Sequence, residues 1–437
     1  LDDTDLPKDD SNLQDWRERC LPLTEEVVAE LDAFDPNSIV SGGWKDALTA
    51  QQKRIMEAMR LVHVTAVFHA QIFAETFTAR YIMEFGKESQ TDGLALLQGF
   101  PNMSTQRAAD LWDLGRIARR SDAVMSVIKS GILPSGDDDD EVLFRHGFEA
   151  AMVKYGHMNP QGSEDLPTWR ENTSMPISII WQYAIEDDGR SPRLVEQAGR
   201  DRRESLEIDL STEARSSAAI EDLVEFLPYA QHIGPVTEDH NLLADQRIGN
   251  ASRSRWLKIG DMLQSRGSVE LAGDVFYYEV DELLELLESN VLLGAEKLLS
   301  RKKQLGRWRS VVPPAVIGKG ALVVDEMAEE IIVEGMAASA GSYTGRARVI
   351  QAVTEANSLV EGDVLVCDIT TPAWTPYFAV IGAVVTNIGS VLAHGAIVAR
   401  EFGIPAVVAT GNGTSVIPDG ATVMVNGTAG TVTVVGE

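Results

Sequence analysis

The sequence is poor in cysteine and aromatic residues and has no excess of positive charge. Its 437 residues include two cysteines, Cys20 and Cys367, which stand far apart in the chain. Two such cysteines indicate neither a disulfide framework nor a cysteine metal site, and they fit a reducing, cytoplasmic environment. No apolar run approaches the roughly 20 residues that a membrane-spanning helix needs. The formal net charge of −28 argues against nucleic acid and anionic membranes as partners, because both attract basic surfaces.

What the sequence does have is helical periodicity over its first three hundred residues. Residues 47–85 contain neither glycine nor proline and repeat apolar side chains at spacings of three and four. This pattern predicts a helix longer than about 50 Å. Further helices are predicted near residues 104–119, 141–155, 218–229, 239–266 and 280–305.

The residue pattern of the sequence changes near residue 310. Short β-branched segments follow, and they predict strands near residues 347–350, 364–366, 383–386, 406–409, 422–425 and 431–435. Two predicted helices, near residues 376–381 and 394–402, interrupt these strands, so this part is expected to be a compact α/β unit. The predicted fold class is multidomain, α plus α/β. Its parts are a mostly helical domain over residues 1–310, a linker or hinge over 311–333, and an α/β domain over 334–437.

One histidine stands in the most informative segment of the chain. A glycine turn at Gly389 precedes His394, which opens a short apolar helix that Gly403 and Pro405 end. The N-terminus of a helix has unpaired N–H groups and a partial positive charge, so it favours a bound phosphate. A neutral imidazole there can attack a phosphoryl group, carry it and pass it on. The alternative is a structural histidine at a helix start, and the flanking pattern favours the phosphoryl carrier.

Residues 389–408 resemble the phosphohistidine segment of the phosphoenolpyruvate-utilising family, which includes pyruvate phosphate dikinase, rifampin phosphotransferase and phenylphosphate synthase. Residues 335–350 and 363–376 resemble the opening, a strand and a threonine–proline turn of the family's swivelling domain. The resemblance implies a swivelling β/β/α domain with His394 as the phosphoryl carrier. The sequence departs from the family at Ala393, where many members have serine or threonine.

The resemblance also implies a set of phosphate-binding residues around the carrier histidine: Thr371, Ser390, Gly395 and Arg400. Thr371 and Ser390 would supply a hydroxyl in place of the one that Ala393 lacks, and Gly395 would allow close approach of the backbone. Two alternatives stay open. Thr371 could serve only to form a turn, and Arg400 could be a surface charge at the end of a helix.

The helical part resembles, more loosely, the substrate-binding region of rifampin-phosphotransferase-like members of the family. The likeness rests on residues 155–169, 238–240 and 273–278, and it implies an acceptor site. The candidate residues for that site are His157 and His240 as bases, Arg247 and Arg255 as cations that neutralise the phosphoryl group, and Trp169 as a pocket wall. The alternatives left open are polar packing for the histidines, ion pairing for the arginines and core packing for the tryptophan.

No metal ligands are expected in this sequence. His63 and His69 lie within an apolar helical run, where a core histidine is the common explanation. Four consecutive aspartates at residues 137–140 precede a predicted helix, so they are interpreted as a solvated helix cap and not as a metal site.

The resemblance implies a phosphotransferase that acts as one subunit of a complex. Neither a glycine-rich nucleotide loop nor an ATP-grasp module is recognised in the sequence, so ATP and Mg²⁺ are expected to bind a separate ATP-grasp partner. That partner would phosphorylate His394, which would transfer the phosphoryl group to a small, aromatic hydroxyl compound, giving a phosphoester, AMP and phosphate. Two alternatives stay open: a phosphorelay or regulatory carrier, and a binding module without transfer chemistry. The sequence leaves oligomer formation open.

Overall fold

A computed structural model describes residues 9–159, 162–289, 294–309 and 332–436. Helices make up the part before residue 310, and a mixed sheet with short helices makes up the part after residue 331. The predicted fold class is confirmed. Most of the predicted hinge lies outside the described residues, so its position stays a prediction; its last two residues already belong to the first strand.

The helices follow the apolar periodicity of the sequence. The α-helices, in chain order, are α1 (Ser11–Asp15), α2 (Leu21–Asp32), α3 (Trp44–Val62), α4 (Phe68–Phe85), α5 (Gln90–Ala95), α6 (Met103–Ala118), α7 (Asp122–Ile128), α8 (Asp139–Tyr155), α9 (Ser174–Ile185), α10 (Pro192–Glu213), α11 (Ala218–Ile233), α12 (Val236–His240), α13 (Gln246–Ser265), α14 (Val280–Ser289), α15 (Ala295–Arg309), α16 (His394–Glu401) and α17 (Gly413–Val416). Within the described ranges, none of these helices combines the length and the apolarity needed to span a bilayer.

The long helix predicted over residues 47–85 forms as two α-helices joined by a π-helical turn. α3 runs into the π turn His63–Val67, which continues directly into α4. Two other π turns join helices in the same way: Trp16–Cys20 joins α1 to α2, and Asn241–Asp245 joins α12 to α13. A π turn inserts an extra residue into a helix and often marks a functional position. Apolar periodicity alone does not reveal these turns, because the flanking helices keep their own spacing.

The aspartate run before α8 caps that helix, as predicted. The side chain of Asp138 accepts a hydrogen bond of 3.0 Å from the backbone N–H of Asp140. Asp139, Asp140 and Glu141 then occupy the first turn, where negative charge stabilises the helix dipole.

The sheet of the C-terminal part has eight strands in the order β1-β8-β7-β3-β4-β5-β6-β2. The strands are β1 (Ile332–Glu334), β2 (Met336–Ser339), β3 (Ser342–Val349), β4 (Val364–Cys367), β5 (Ala383–Thr386), β6 (Ala406–Val408), β7 (Thr422–Asn426) and β8 (Thr431–Gly436). β3 to β6 are parallel neighbours, and the remaining pairs are antiparallel. The central strands β4 and β5 are buried along their whole length, as their continuous apolar sequences predict.

One hydrophobic core continues from the helical part into the C-terminal part. It includes Trp112 of α6 and Tyr183 of α9 on one side, and Leu359, Trp374 and Phe378 on the other. A separate cluster lies on the opposite face of the sheet, and further clusters lie within the helical part. The two parts are therefore packed against each other through apolar side chains, and this packing places α16 against the helical part.

Candidate active site

His394 is the first residue of α16, on a loop that comes from the end of β5. The residue before it, Ala393, caps the helix without a side-chain hydrogen bond. In the first turn the N–H of Ala396 donates a 2.9 Å hydrogen bond to the carbonyl of Ala393, and the aligned peptide dipoles of the helix give this end a partial positive charge. The side chain of His394 is only 14% exposed, because α16 faces the helical part.

The imidazole of His394 contacts side chains at both of its nitrogens. Nδ1 lies 2.9 Å and 3.0 Å from the two carboxylate oxygens of Glu238, and Nε2 lies 3.2 Å from the hydroxyl oxygen of Thr375. A carboxylate only accepts hydrogen bonds, so Nδ1 carries the hydrogen and donates it to Glu238. In the neutral ring Nε2 then keeps its lone pair, which is the electron pair that a nucleophile needs. The geometry thus selects the tautomer in which Nε2 can attack phosphorus.

Glu238 is buried and ionised beside this imidazole. Its side chain is 4% exposed, and the hydroxyl of Ser104 donates a 2.8 Å hydrogen bond to Oε2. Burial acts to raise the pKa of Glu238, but the charge of His394 and the hydrogen bonds from His394 and Ser104 outweigh it and leave the pKa below its usual range. An anionic carboxylate at this position fixes the ring orientation and can stabilise positive charge that develops on the imidazole.

Gly395 makes room for a threonine hydroxyl at the start of α16. A Cβ atom at position 395 would lie 2.1 Å from Oγ1 of Thr370, a distance that real Cβ atoms do not show. Thr371 follows with a hydroxyl that is buried and has no hydrogen-bond partner among the described residues. Ser390 accepts a 3.3 Å hydrogen bond from the backbone N–H of Leu392 through its own hydroxyl. The phosphate-binding role predicted for Thr371, Ser390 and Gly395 stays a prediction.

Arg400 anchors the loop that carries His394. Its guanidinium donates hydrogen bonds of 2.6 Å to the carbonyl of Val391 and 2.8 Å to the carbonyl of Ala338 in β2. Burial lowers the pKa of Arg400 to about 10, which leaves the side chain charged at neutral pH. In this arrangement the guanidinium of Arg400 binds backbone carbonyls and not a phosphate site. Phosphate contact by Arg400 would need a different conformation and remains a prediction.

A small cavity of about 50 Å³ lies beside Glu238, between the two parts of the chain. Leu94, Leu97 and Phe100 line it from the helical part, and Leu392 and Ile397 line it from the C-terminal part. This volume accommodates one or two water molecules and no larger ligand. Because the C-terminal part supplies one wall, the cavity enlarges when the two parts separate.

Two of the predicted acceptor residues line a larger, polar cavity of about 590 Å³, which shares no lining residue with the cavity beside Glu238. One is His157, whose Nε2 lies 3.0 Å from the carbonyl of Leu242. Burial lowers the pKa of His157 to about 4, so its imidazole is neutral at physiological pH. The other is Arg247, which donates a 2.6 Å hydrogen bond to the carboxylate of Glu25.

The remaining acceptor candidates are buried or face away from His394. Trp169 is 1% exposed and belongs to the shared core. Arg255 is equally buried, stacks on the ring of Trp256 at 4.2 Å and has a pKa lowered to about 10 by burial. His240 directs its Nε2 towards Asp245, at 3.7 Å. Their predicted roles in acceptor binding remain untested predictions.

Sequence reasoning missed Glu238, Thr375 and Ser104 as site residues. Glu238 stands in the segment 238–240, where His240 is the predicted site residue, but in the structure it is Glu238 that contacts His394. Its contact with His394 joins residues 156 positions apart in the chain. Thr375 and Glu238 both lie in segments that resemble the family, whereas Ser104 has no sequence signal.

Two family models match the chain. Residues 359–430 match the PEP-utilising enzyme mobile domain, and residues 63–230 match the rifampicin phosphotransferase fourth domain. The first range contains His394 and Thr375, and the second contains Ser104. Glu238 and the segments 238–240, 273–278 and 335–350 lie outside both matched ranges.

Three curated relatives illustrate the similarity. The chain is 28% identical to chondramide synthase cmdD of Chondromyces crocatus over 96% of the chain and 12% of that protein. It is 29% identical to a rifampicin phosphotransferase of a Streptomyces species over 79% of the chain and 41% of that protein. It is 49% identical to phosphoenolpyruvate synthase of Aeropyrum pernix over 24% of the chain and 13% of that protein. The chain thus spans less than half the length of each of these relatives.

Proposed function

Since the chain is a member of the phosphoenolpyruvate-utilising family and is related in its helical part to rifampicin phosphotransferase, we propose that His394 carries a phosphoryl group between a nucleotide-binding module and an acceptor. The observation that supports this best is the imidazole at the start of α16, held by Glu238 so that Nε2 keeps its lone pair. In this proposal ATP and Mg²⁺ are bound by an ATP-grasp module outside these 437 residues, on a separate partner chain.

The transfer consists of two displacements at phosphorus. In the first, the lone pair of Nε2 attacks, a nitrogen–phosphorus bond forms, and the bridging oxygen of the donor leaves. In the second, the oxygen of an acceptor hydroxyl attacks, the nitrogen–phosphorus bond breaks, and the hydroxyl proton passes to a base. The unpaired N–H groups at the start of α16 and the free hydroxyl of Thr371 are the proposed phosphate contacts.

The acceptor in this proposal is a small aromatic hydroxyl compound that enters the cavity beside Glu238. The walls of that cavity combine apolar side chains, among them the aromatic ring of Phe100, with polar ones, which include Gln98 and Glu238. Because Glu238 also contacts the imidazole of His394, a hydroxyl at that end would meet the phosphoryl group. The cavity is closed in the present arrangement, so the acceptor binds when the C-terminal part is displaced and the phosphoryl group is transferred when that part returns.

The carrier role can be tested on the chain alone. Phosphoramidate, a small-molecule donor that phosphorylates histidine, should add an acid-labile mass of about 80 Da to the intact chain. The His394→Ala variant retains the other histidines and should remain unmodified under the same conditions. A mass gain that persists in this variant would overturn the assignment of His394.

The transfer role needs a second measurement, on the loaded chain. Phenols and aliphatic alcohols are added, and ³¹P NMR follows the loss of phosphohistidine and the appearance of a phosphoester. Faster loss with a phenol than with buffer supports the enzyme. A loaded chain that no hydroxyl compound discharges, but that a second protein does, would establish a phosphorelay carrier instead.

The contribution of Glu238 is tested by Glu238→Gln, which keeps the shape of the side chain. The amide can donate to Nδ1 and so place the hydrogen on Nε2, the tautomer that cannot attack. We expect loading of His394 to slow by on the order of tenfold or more. Glu196→Gln, which removes a carboxylate paired with Arg200 on α10, is the matched control and should load at the wild-type rate. Equal rates in all three proteins would contradict a tautomer-selecting role.

A further inference from the structure

Three side chains outside the His394 site converge on one point in the helical part. Nε2 of His63 lies 3.5 Å from Oδ2 of Asp245, and Nε2 of His240 lies 3.7 Å from the same oxygen. One ligand atom from each residue lies within 4.8 Å of the other two. The two imidazole rings meet edge to face, with centroids 5.4 Å apart. The distances to Asp245 exceed those of good hydrogen bonds, so the three atoms surround a point without closing on one another.

The backbone fixes the tautomer of both histidines. Nδ1 of His63 lies 2.8 Å from the carbonyl of Met59, and Nδ1 of His240 lies 2.9 Å from the carbonyl of Val236. A carbonyl oxygen only accepts, so each Nδ1 carries a hydrogen and each neutral ring presents a lone pair at Nε2. With the carboxylate of Asp245, the cluster has three electron-pair donors directed at one another. Such a cluster is stable only with a positive charge between them, and histidines that ligate metals are anchored through the other nitrogen in this way.

Both segments that supply these ligands contain a π turn. His63 opens the π turn His63–Val67, and Asp245 closes the π turn Asn241–Asp245, which begins directly after His240. In an α-helix, residues five apart point about 140° away from each other, at about 100° per residue. A π turn pairs a residue with the fifth one after it and so brings His240 and Asp245 to the same side. The irregular backbone of both helices therefore serves the convergence of these three side chains.

Asp245 of the cluster and the nearby Asn241 help to line a cavity of about 360 Å³, whose lining does not include the two histidines. Oδ1 of Asp245 and Oδ1 of Asn241 are both buried, and neither has a hydrogen-bond partner among the residues that the structure describes. Two unsatisfied oxygens in one place are costly in a folded protein. They lie at the cluster, where a bound cation and the water molecules attached to it would satisfy them.

We infer that His63, His240 and Asp245 bind one divalent transition-metal ion of the zinc class, with a remaining coordination position towards the cavity. Two imidazole nitrogens and one carboxylate oxygen suit zinc and its neighbours better than calcium or magnesium, which prefer oxygen ligands. The sequence predicted no metal ligand, because the three residues of the cluster come from two segments about 180 residues apart and match no recognised motif. His240 stands two residues after Glu238, so the ion would also hold in place the helix that positions the carrier imidazole.

The inference is tested on the purified chain after removal of metals with a chelator. Zn²⁺ is added, the excess is removed by desalting, and the bound metal is counted by mass spectrometry of the elements. We expect one equivalent in the wild type and a loss of that equivalent in both His240→Gln and Asp245→Asn. His232→Gln is the matched control, because His232 also pairs with a carboxylate, Asp10 at 3.0 Å, but on the exposed surface. This control should keep the full equivalent.

A second readout does not depend on the folding of the variants. Co²⁺ added to the metal-free wild type should give visible absorption bands of a nitrogen-ligated, low-coordinate ion, and Zn²⁺ should remove these bands. Circular dichroism confirms that each variant retains its helices. Zinc that binds equally to the wild type, Asp245→Asn and His232→Gln, or a cobalt spectrum identical to that of the hydrated ion, would overturn the inference. The cluster would then be a protonated histidine paired with Asp245.

Discussion

The residue after His394 has no room for even a single methyl group. Gly395 follows it directly, and the hydroxyl of Thr370 occupies the place that a side chain at position 395 would need. The glycine is required here by close approach of another residue and not by its backbone angles, since it lies in the first turn of α16. At the scale of the residue, therefore, the absence of a side chain at position 395 lets the hydroxyl of Thr370 lie close to the start of α16.

We predict that Gly395→Ala damages the carrier site. The new Cβ would lie 2.1 Å from Oγ1 of Thr370, so α16 or Thr370 must shift. We expect slower loading of His394 by phosphoramidate and a lower midpoint of thermal unfolding for the C-terminal part. Adding Thr370→Ala to this variant removes the hydroxyl and should restore part of both losses, because the two positions are coupled.

The control for this prediction is Gly306→Ala in α15. Nothing lies within 4 Å of a Cβ at that position, and alanine is the better helix former. This variant should load at the normal rate and be slightly more stable. A Gly395→Ala protein that loads as fast as the Gly306→Ala protein would show that Thr370 can move aside without cost.

Local sequence signals predict His394 as the carrier, which stays a prediction, but they do not predict its contacts in the structure. The glycine turn, the helix stop at Gly403 and the β-branched strand after it are local signals, so this prediction rests on neighbouring residues alone. Glu238 contacts His394 from a separate helix, and although its segment resembles the family, nothing local indicates that this glutamate reaches the imidazole. The tautomer of His394 follows from that long-range contact and was therefore also beyond prediction.

At the scale of the element, α6 determines where Glu238 lies. Its first turn carries Ser104, whose hydroxyl holds the carboxylate, and its start is fixed by Asn102. The side chain of Asn102 accepts hydrogen bonds of 3.0 Å from the backbone N–H groups of both Ser104 and Thr105. A cap of this kind makes the helix begin at a definite residue, so the position of the Ser104 hydroxyl follows from the cap.

We predict that Asn102→Ala lowers the free energy of unfolding by about 1 kcal/mol, because two N–H groups lose their acceptor. Unfolding by urea, followed by circular dichroism, measures this loss. Asn102→Asp keeps an acceptor in the same place and should retain most of the stability. If the alanine and aspartate variants were equally destabilised, the cap would not be the source of the loss.

Sequence patterns predicted many of the regular elements, but they missed several helices, among them α2, α9 and α10, and the strands that depend on distant pairing. β4 to β8 were each predicted to within one residue at either end, because their apolar and β-branched segments are continuous, whereas β3 begins five residues before its predicted start. β1 and β2 are three and four residues long, and they pair with strands about 100 and 70 residues away, so no local signal marks them. The π turns also escaped prediction, since each is a local insertion that the surrounding helix accommodates.

At the scale of the whole molecule, Arg190 pairs with a buried glutamate of the helical part and also contacts the C-terminal part. Glu186 follows α9 and is 1% exposed, and its carboxylate lies 3.7 Å from Arg190. Arg190 also donates a 3.1 Å hydrogen bond to the carbonyl of Ile381 in the C-terminal part. Burial raises the pKa of Glu186 to about 7, and the opposing attraction of Arg190 does not cancel this effect. The contact between the two parts is therefore sensitive to pH.

We predict that Glu186→Gln stabilises the protein at alkaline pH. The ordinary pKa of this carboxyl is 4.5 and its folded value is about 7, so the stability that the protonated form provides is complete below 4.5 and is lost as pH rises through 7. Glutamine does not titrate. The thermal midpoints of variant and wild type should thus agree near pH 4.5, and the variant should be higher by a few degrees at pH 8.

The matched control is Glu361→Gln, which removes the exposed carboxylate 3.5 Å from the same arginine. An exposed ion pair contributes little, so this change should leave the midpoint nearly unchanged at both pH values. A Glu186→Gln protein that melts lower than the wild type at pH 8 would show that attraction to Arg190 outweighs the cost of burial.

The core that continues from α6 and α9 into the C-terminal part has a consequence for the speed of the catalytic cycle. In the proposed cycle, His394 must leave Glu238 to reach a donor, and the large apolar side chains around Trp112 and Trp374 must then separate and meet water. Breaking that contact costs more than breaking the few hydrogen bonds at the imidazole. We therefore expect the departure of the C-terminal part, and not either displacement at phosphorus, to set the turnover rate, and a solvent that weakens apolar association to accelerate it.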